Sequence, residues 1–118
     1  MATKETVEAY IAAWNETDEA KRRALIDKCW AENGTYTDPM ADVSGRDALA
    51  TLIVGFQAQM PGATIEITSG IDEHHGRIRF GWKLADGSQP MEGIDVGQVT
   101  ADGQLASIVG FWGAAPPA

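Results

Sequence analysis

The sequence predicts an α+β fold in which three N-terminal helices pack on a curved antiparallel sheet. Up to residue 62 apolar residues recur every three or four positions, and from Ala63 onward they recur every two. Asp86-Gly87 and Asp102-Gly103 are hairpin signals, and they divide the second half into strands joined by turns too short for anything but an antiparallel meander.

The first helix starts at Thr3, whose hydroxyl suits a cap, with Glu5 near the positive end of the helix. Val7, Tyr10, Ile11 and Trp14 share one face. Asn15 to Asp18 breaks the period, and Thr17 or Asp18 caps a second helix running to about Glu32, with Leu25, Ile26, Cys29 and Trp30 as its buried stripe. Arg23 with Asp27 and Lys28 with Glu32 stand four apart on its wet side, and Gly34 ends it. Ser44-Gly45-Arg46-Asp47 approaches a capping box and starts a third helix with Leu49, Leu52, Ile53 and Phe56 inward, stopped by Pro61-Gly62.

Four strands follow. Ile65 and Ile67 alternate with polar residues in the first, and Ile78, Phe80, Trp82 and Leu84 in the second. The third lies near Met91 to Thr100 and the fourth near Leu105 to Trp112. In the last strand parity puts Ile108 and Trp112 on one face and Leu105, Val109 and Phe111 on the other, so both faces need cover. With the helices committed to the first face, a second copy of the chain is the expected cover, making a homodimer. The Ala114 to Ala118 tail, with two prolines, is expected to fray.

At 118 residues the chain suits one domain, 1–118, with one core. Nine Lys and Arg against seventeen Asp and Glu give a net charge of −8, which disfavours nucleic acid and anionic membrane and suits a neutral or cationic small molecule, or a protein. The single cysteine, Cys29, forms no internal disulfide and reads as a small buried hydrophobe. No apolar run approaches the ~20 residues that cross a bilayer, and no basic segment precedes an apolar one at the amino terminus; a soluble cytoplasmic protein is expected.

The stretch with the most chemistry is Tyr36-Thr37-Asp38-Pro39-Met40. Asp is a poor strand former, and Pro39 removes a donor and holds Asp38 extended. Asp38 therefore either starts a turn or aims a carboxylate into a cavity.

Tyr10-Ile11-Ala12-Ala13-Trp14-Asn15, Asp38-Pro39, Ser44-Gly45-Arg46-Asp47-Ala48, Gly93-Ile94-Asp95, and Asp102-Gly103 through Phe111-Trp112-Gly113 together resemble the nuclear transport factor 2-like superfamily. Within it the chain, from about Val7 to Gly113, looks like the SnoaL-like polyketide cyclases and steroid delta-isomerases. The resemblance implies a cone-shaped α+β barrel and proton transfer next to a carbonyl without metal or organic cofactor. It puts Asp38 at the position of the isomerases' base, and Tyr10 and a protonated Asp95 at the positions that donate to the enolate oxygen. Ile53 stands where those isomerases extend the donor network with a tyrosine.

Asp95 lies between Ile94 and Val96 and shares a strand face with Gly93 and Gly97, which leave room beside it. A lone acid there is either exposed or raised in pKa. The mechanism needs Asp38 ionised and Asp95 protonated, converging on one cavity. Trp14, Met40, Phe80, Trp82, Ile108 and Trp112 are its expected apolar walls, around an apolar small-molecule ligand.

Two other constellations compete. His74-His75 at a turn invites comparison with the histidines of scytalone dehydratases, but adjacent residues on an extended segment point to opposite faces. Arg77 and Arg79 invite comparison with limonene epoxide hydrolases, but their alternation with Phe80 and Trp82 puts them outside.

Overall fold

The computed structural model describes residues 1–87 and 89–118. Three helices, α1 (Thr3–Asn15), α2 (Glu19–Cys29) and α3 (Arg46–Gln59), pack against one curved sheet. Its strands are β1 (Trp30–Asp38), β2 (Ala41–Ser44), β3 (Thr64–Ile67), β4 (Asp72–His74), β5 (Arg77–Ala85), β6 (Glu92–Val99) and β7 (Leu105–Trp112). Their order is β2-β1-β7-β6-β5-β3, with β4 also paired to β5. The predicted helices and meander are present, and so is the α+β class.

One pairing differs from the antiparallel expectation. β1 lies parallel to β7, so the sheet is mixed, and it curves without closing. Parallel neighbours need a long connection. Here that connection is most of the chain.

The core lies between helices and sheet. Val7, Tyr10 and Trp14 of α1, Ile26 and Cys29 of α2, and Leu49 and Ile53 of α3 meet Trp30, Phe80, Leu105 and Ile108 of the sheet. The Tyr10 ring stacks on Trp30 with centroids 5.6 Å apart. Each fully buried large side chain of this kind contributes about 1.5–3 kcal/mol.

Several boundaries move for local reasons. The second helix stops at Cys29, not near Glu32, because Trp30 is extended and starts β1; its N–H still closes on the Ile26 carbonyl. Gly34 therefore ends no helix. It lies inside β1, where a Cβ would sit 2.6 Å from Trp30 Nε1, so its missing side chain makes room for the indole. The Lys28–Glu32 pair accordingly has no helix to hold it, whereas Arg23–Asp27 forms.

Asp18 caps α2 by accepting from Lys21 N–H, as predicted. The other two caps are replaced. Ala2 occupies the cap of α1, and the Thr3 hydroxyl instead donates to Glu73 at 2.8 Å, tying the helix start to β4. Gly45, at φ +93°, occupies the cap of α3 and makes no side-chain bond, while Asp47 pairs with Arg23.

The last strand departs from simple parity. A register shift between Gln98 and Val99 against β7 turns Leu105 inward, so Leu105 and Ile108 are both fully buried. The outer face keeps Val109 and Phe111 beside Val96 and Ile94, which they directly oppose, and all four are exposed.

Candidate functional site

Asp38 is the last residue of β1, at the turn into β2, and it lines a cavity. Its Oδ1 accepts the Met40 N–H at 2.8 Å, the turn contact. Its Oδ2 accepts the Tyr36 hydroxyl at 2.7 Å. Residues two apart on a strand share a face, so β1 presents Tyr36 and Asp38 together. Burial first, then the bond to Asp38, pushes the Tyr36 phenol far above its usual range.

Asp95 lies inward on β6 and is 7 % exposed. Its Oδ1 accepts the indole N–H of Trp82 at 3.0 Å. Trp82 can reach it because Gly93, opposite Trp82 in the register, carries no side chain in the way: a Cβ there would lie 2.5 Å from the indole. Desolvation pushes the Asp95 carboxyl up to about 7, aided by the charge of Asp38 and opposed by the Trp82 bond. Near neutral pH this acid is close to half protonated.

The two aspartates approach each other across Gly110 of β7. A Cβ built on Gly110 would lie 3.0 Å from Asp95 Oδ1 and 3.6 Å from Asp38 Cβ, so those two atoms are no farther apart than the sum of these distances. That places both acids around one small centre.

Tyr10, on the inner face of α1, is 2 % exposed. Among the described residues no acceptor takes its hydroxyl hydrogen. Burial, and then the charge of Asp95, raise its pKa well above the ordinary phenol. It is held as a neutral donor.

Tyr10, Asp38 and Asp95 line one cavity of about 730 Å³. Trp14, Met40, Trp82 and Trp112 also line it, Met40 and Trp112 at its exposed rim. Phe80 and Ile108 do not. They are buried in the core, at 2 % and 0 % exposure, and are not among the lining residues. Alternation gives the face of a strand but not the depth along it, and these two are spent on packing against helices.

Tyr36, Phe56, Met60 and Met91 line the cavity without having been foreseen. Tyr36 was legible from its two-residue offset to Asp38. Phe56 reaches in from α3 to pack edge-on against Trp14, with centroids 5.4 Å apart, a contact between elements far apart in sequence.

The rival constellations lie outside this cavity. His74 and His75 are exposed at the β4–β5 turn, their Nδ1 atoms 3.2 Å apart. Arg79 pairs with Asp72 at 2.7 Å and Arg77 donates to the His75 carbonyl, both in solvent. Cys29 is buried, and desolvation pushes its thiol up to about 12, which leaves it inert as a nucleophile.

The SnoaL-like domain profile matches residues 7–108 of the chain. The chain belongs to the SnoaL-like family. Among solved structures, a candidate isomerase of the SnoaL-like family from Agrobacterium tumefaciens is 32 % identical, with a TM-score of 0.87 and coverage of 95 % of this chain and 97 % of that one. A candidate ketosteroid isomerase from Kribbella flavida is 20 % identical, with a TM-score of 0.70 over 98 % of this chain and 82 % of that one. A candidate polyketide cyclase from Sinorhizobium meliloti is 14 % identical, with a TM-score of 0.73 over 93 % and 99 %. The last two likenesses are of fold alone. No protein of curated function matches the sequence. What this SnoaL-like chain adds to the shared fold is a particular set of side chains around the cavity, and its chemistry follows from them.

Proposed function

We propose that the protein is a cofactor-independent enzyme of isomerase or cyclase type that moves a proton next to a carbonyl of an apolar small molecule. Asp38 removes the proton to its carboxylate, and the electron pair left on carbon passes to the carbonyl oxygen as an enolate. Tyr10 and protonated Asp95 donate hydrogen bonds to that oxygen. Asp38 then returns the proton to a different carbon, so the enzyme ends as it began. The observation that supports this best is the meeting of Tyr10, Asp38 and Asp95 in one apolar cavity, with burial favouring the neutral form of two of them. Trp14, Trp82 and Trp112 supply the walls.

The direct test is deuterium uptake from heavy water into the α-carbon of cyclic β,γ-unsaturated ketones, followed by NMR. Uptake catalysed by the parent and lost in Asp38→Asn supports the proposal; equal uptake by both rejects it.

A second reading, a binding module of the same fold without turnover, draws support from the two hydrogen bonds that Asp38 already accepts, one on each carboxylate oxygen, from Tyr36 and the Met40 N–H. Under that reading the cavity binds the ketones and exchanges no deuterium.

We further propose a homodimer through the outer face of the sheet, on the strength of the contiguous Ile94, Val96, Val109 and Phe111 patch. No helix among the described residues is long and apolar enough to cross a membrane. A cytoplasmic setting suits a chain whose lone Cys29 forms no disulfide.

A further inference from the structure

We propose that the cavity also selects its ligands by charge: it accepts apolar molecules that carry an alkylammonium group, seating the cation between Asp38 and Asp95 among the tryptophan rings, and it turns away carboxylates. This rests on reading the cavity as the small-molecule site.

The lining is electrically one-sided. Among the described residues it contains two carboxyl groups and no Lys, Arg or His. The acids are close together across Gly110, and the bonds they accept come from neutral donors, Trp82, Tyr36 and the Met40 N–H. Two carboxylates in a desolvated space with no counter-charge repel one another, and one responds by holding a proton. A ligand cation removes the reason for that proton.

Polar capacity is also left unspent. Among the described residues no protein group pairs with Asp95 Oδ2 and none accepts the Tyr10 hydroxyl hydrogen, and neither atom is sealed from solvent, so both open onto the cavity their residues line. Polar atoms that open onto a cavity and have no partner in the protein are free to bond a ligand. Trp14, Trp82, Trp112 and Tyr36 present aromatic surface to the same space, which attracts an alkylammonium and does nothing for a carboxylate.

The proton on Asp95 gives the two ligand classes opposite pH dependence. The charged and titratable groups facing Asp95 are Asp38 and Tyr36 from β1 and Tyr10 from α1; β3, β5, β7 and α3 bring no titratable side chain to the cavity. Asp95 is therefore the group that changes state near pH 7. A hydroxyl or carbonyl ligand prefers the protonated acid, and a cation prefers the ionised one.

The experiment measures binding of three probes of one shape, 2-(1-naphthyl)ethylammonium, 2-(1-naphthyl)ethanol and 1-naphthylacetate, by calorimetry at pH 6 and pH 8. An alkylammonium stays charged over this range, as a lysine with its pKa of ~10.4 does. The ammonium should bind roughly tenfold tighter at pH 8 than at pH 6, the alcohol roughly tenfold weaker, and the carboxylate at neither pH. Asp95→Asn should flatten both pH slopes, and the parent's opposite slopes decide the matter even should that variant fail to fold. An ammonium that binds no tighter at pH 8, or a carboxylate that binds as well as the ammonium, overturns charge selection and leaves the enzyme proposal standing if the alcohol binds. Absence of binding by all three overturns both.

Discussion

Trp82 donates its indole N–H to Asp95 at 3.0 Å from the neighbouring strand, two residues off the direct pairing, across the space that Gly93 leaves empty. The bond occupies Oδ1 of Asp95, and among the described residues the other oxygen takes no hydrogen bond. It lowers the Asp95 pKa but is outweighed by desolvation, so the carboxyl still ends near 7.

That raised value makes stability depend on pH with a definite sign. Asp95 ionises more readily unfolded than folded, so its ionisation opposes folding. Its contribution is fully present below the ordinary carboxylate pKa, 3.8, and is lost as pH rises toward about 7. Asp95→Asn should therefore match or fall below the parent in stability at pH 4 and equal or exceed it at pH 8, a relative change of a few kcal/mol at about 1.4 kcal/mol per pKa unit. Urea unfolding at the two pH values measures it.

Tyr36→Phe removes the hydroxyl that Asp38 Oδ2 accepts while keeping the ring against Trp14, their centroids 5.5 Å apart. A hydrogen bond to a charged group contributes about 1.5–3 kcal/mol, and a comparable loss is expected in urea unfolding at neutral pH. A loss confined to a few tenths would mean that Asp38 turns to solvent at no cost.

How much of this was legible in the sequence differs from element to element. The inner face of α1 and the meander were, because period and turn chemistry are local. The inward Asp95 followed from the glycines on its face together with the resemblance. The parallel pairing of β1 with β7 was not legible, since no local pattern joins Trp30 to Leu105. The bulge that turned Leu105 inward defeats any count by twos. Phe80 and Ile108 were assigned to the cavity because alternation is silent about where along a strand the cavity stops and the core begins.

Gly110→Ala puts a Cβ against Asp95 Oδ1 at 3.0 Å, and the acid must give way by a few tenths of an ångström. Cores register such additions at about 1–3 kcal/mol. Because the methyl lies between the two acids, the larger effect should fall on the site, with deuterium exchange slowed by more than tenfold, the cost of about 1.4 kcal/mol in the transition state. Exchange at the parental rate would mean that the approach of Asp38 to Asp95 is incidental.

Phe111→Lys places a charge in the outer patch opposite Ile94. If that patch joins two copies, sedimentation at tens of micromolar should show the parent as a dimer and the variant as a monomer, with the parent little changed by moderate salt because the contact is apolar. A monomeric parent removes the dimer from the account without touching the cavity.

The central claim is that one carboxyl in this cavity keeps its proton near neutrality while its neighbour works as a base. The Asp95 carboxyl carbon, followed by ¹³C NMR across pH 3 to 9, reports it directly. The account predicts a midpoint at about 7. A midpoint near the ordinary aspartate value of ~3.9 would contradict it, because Asp95 would then be ionised at neutral pH and could donate nothing to an enolate.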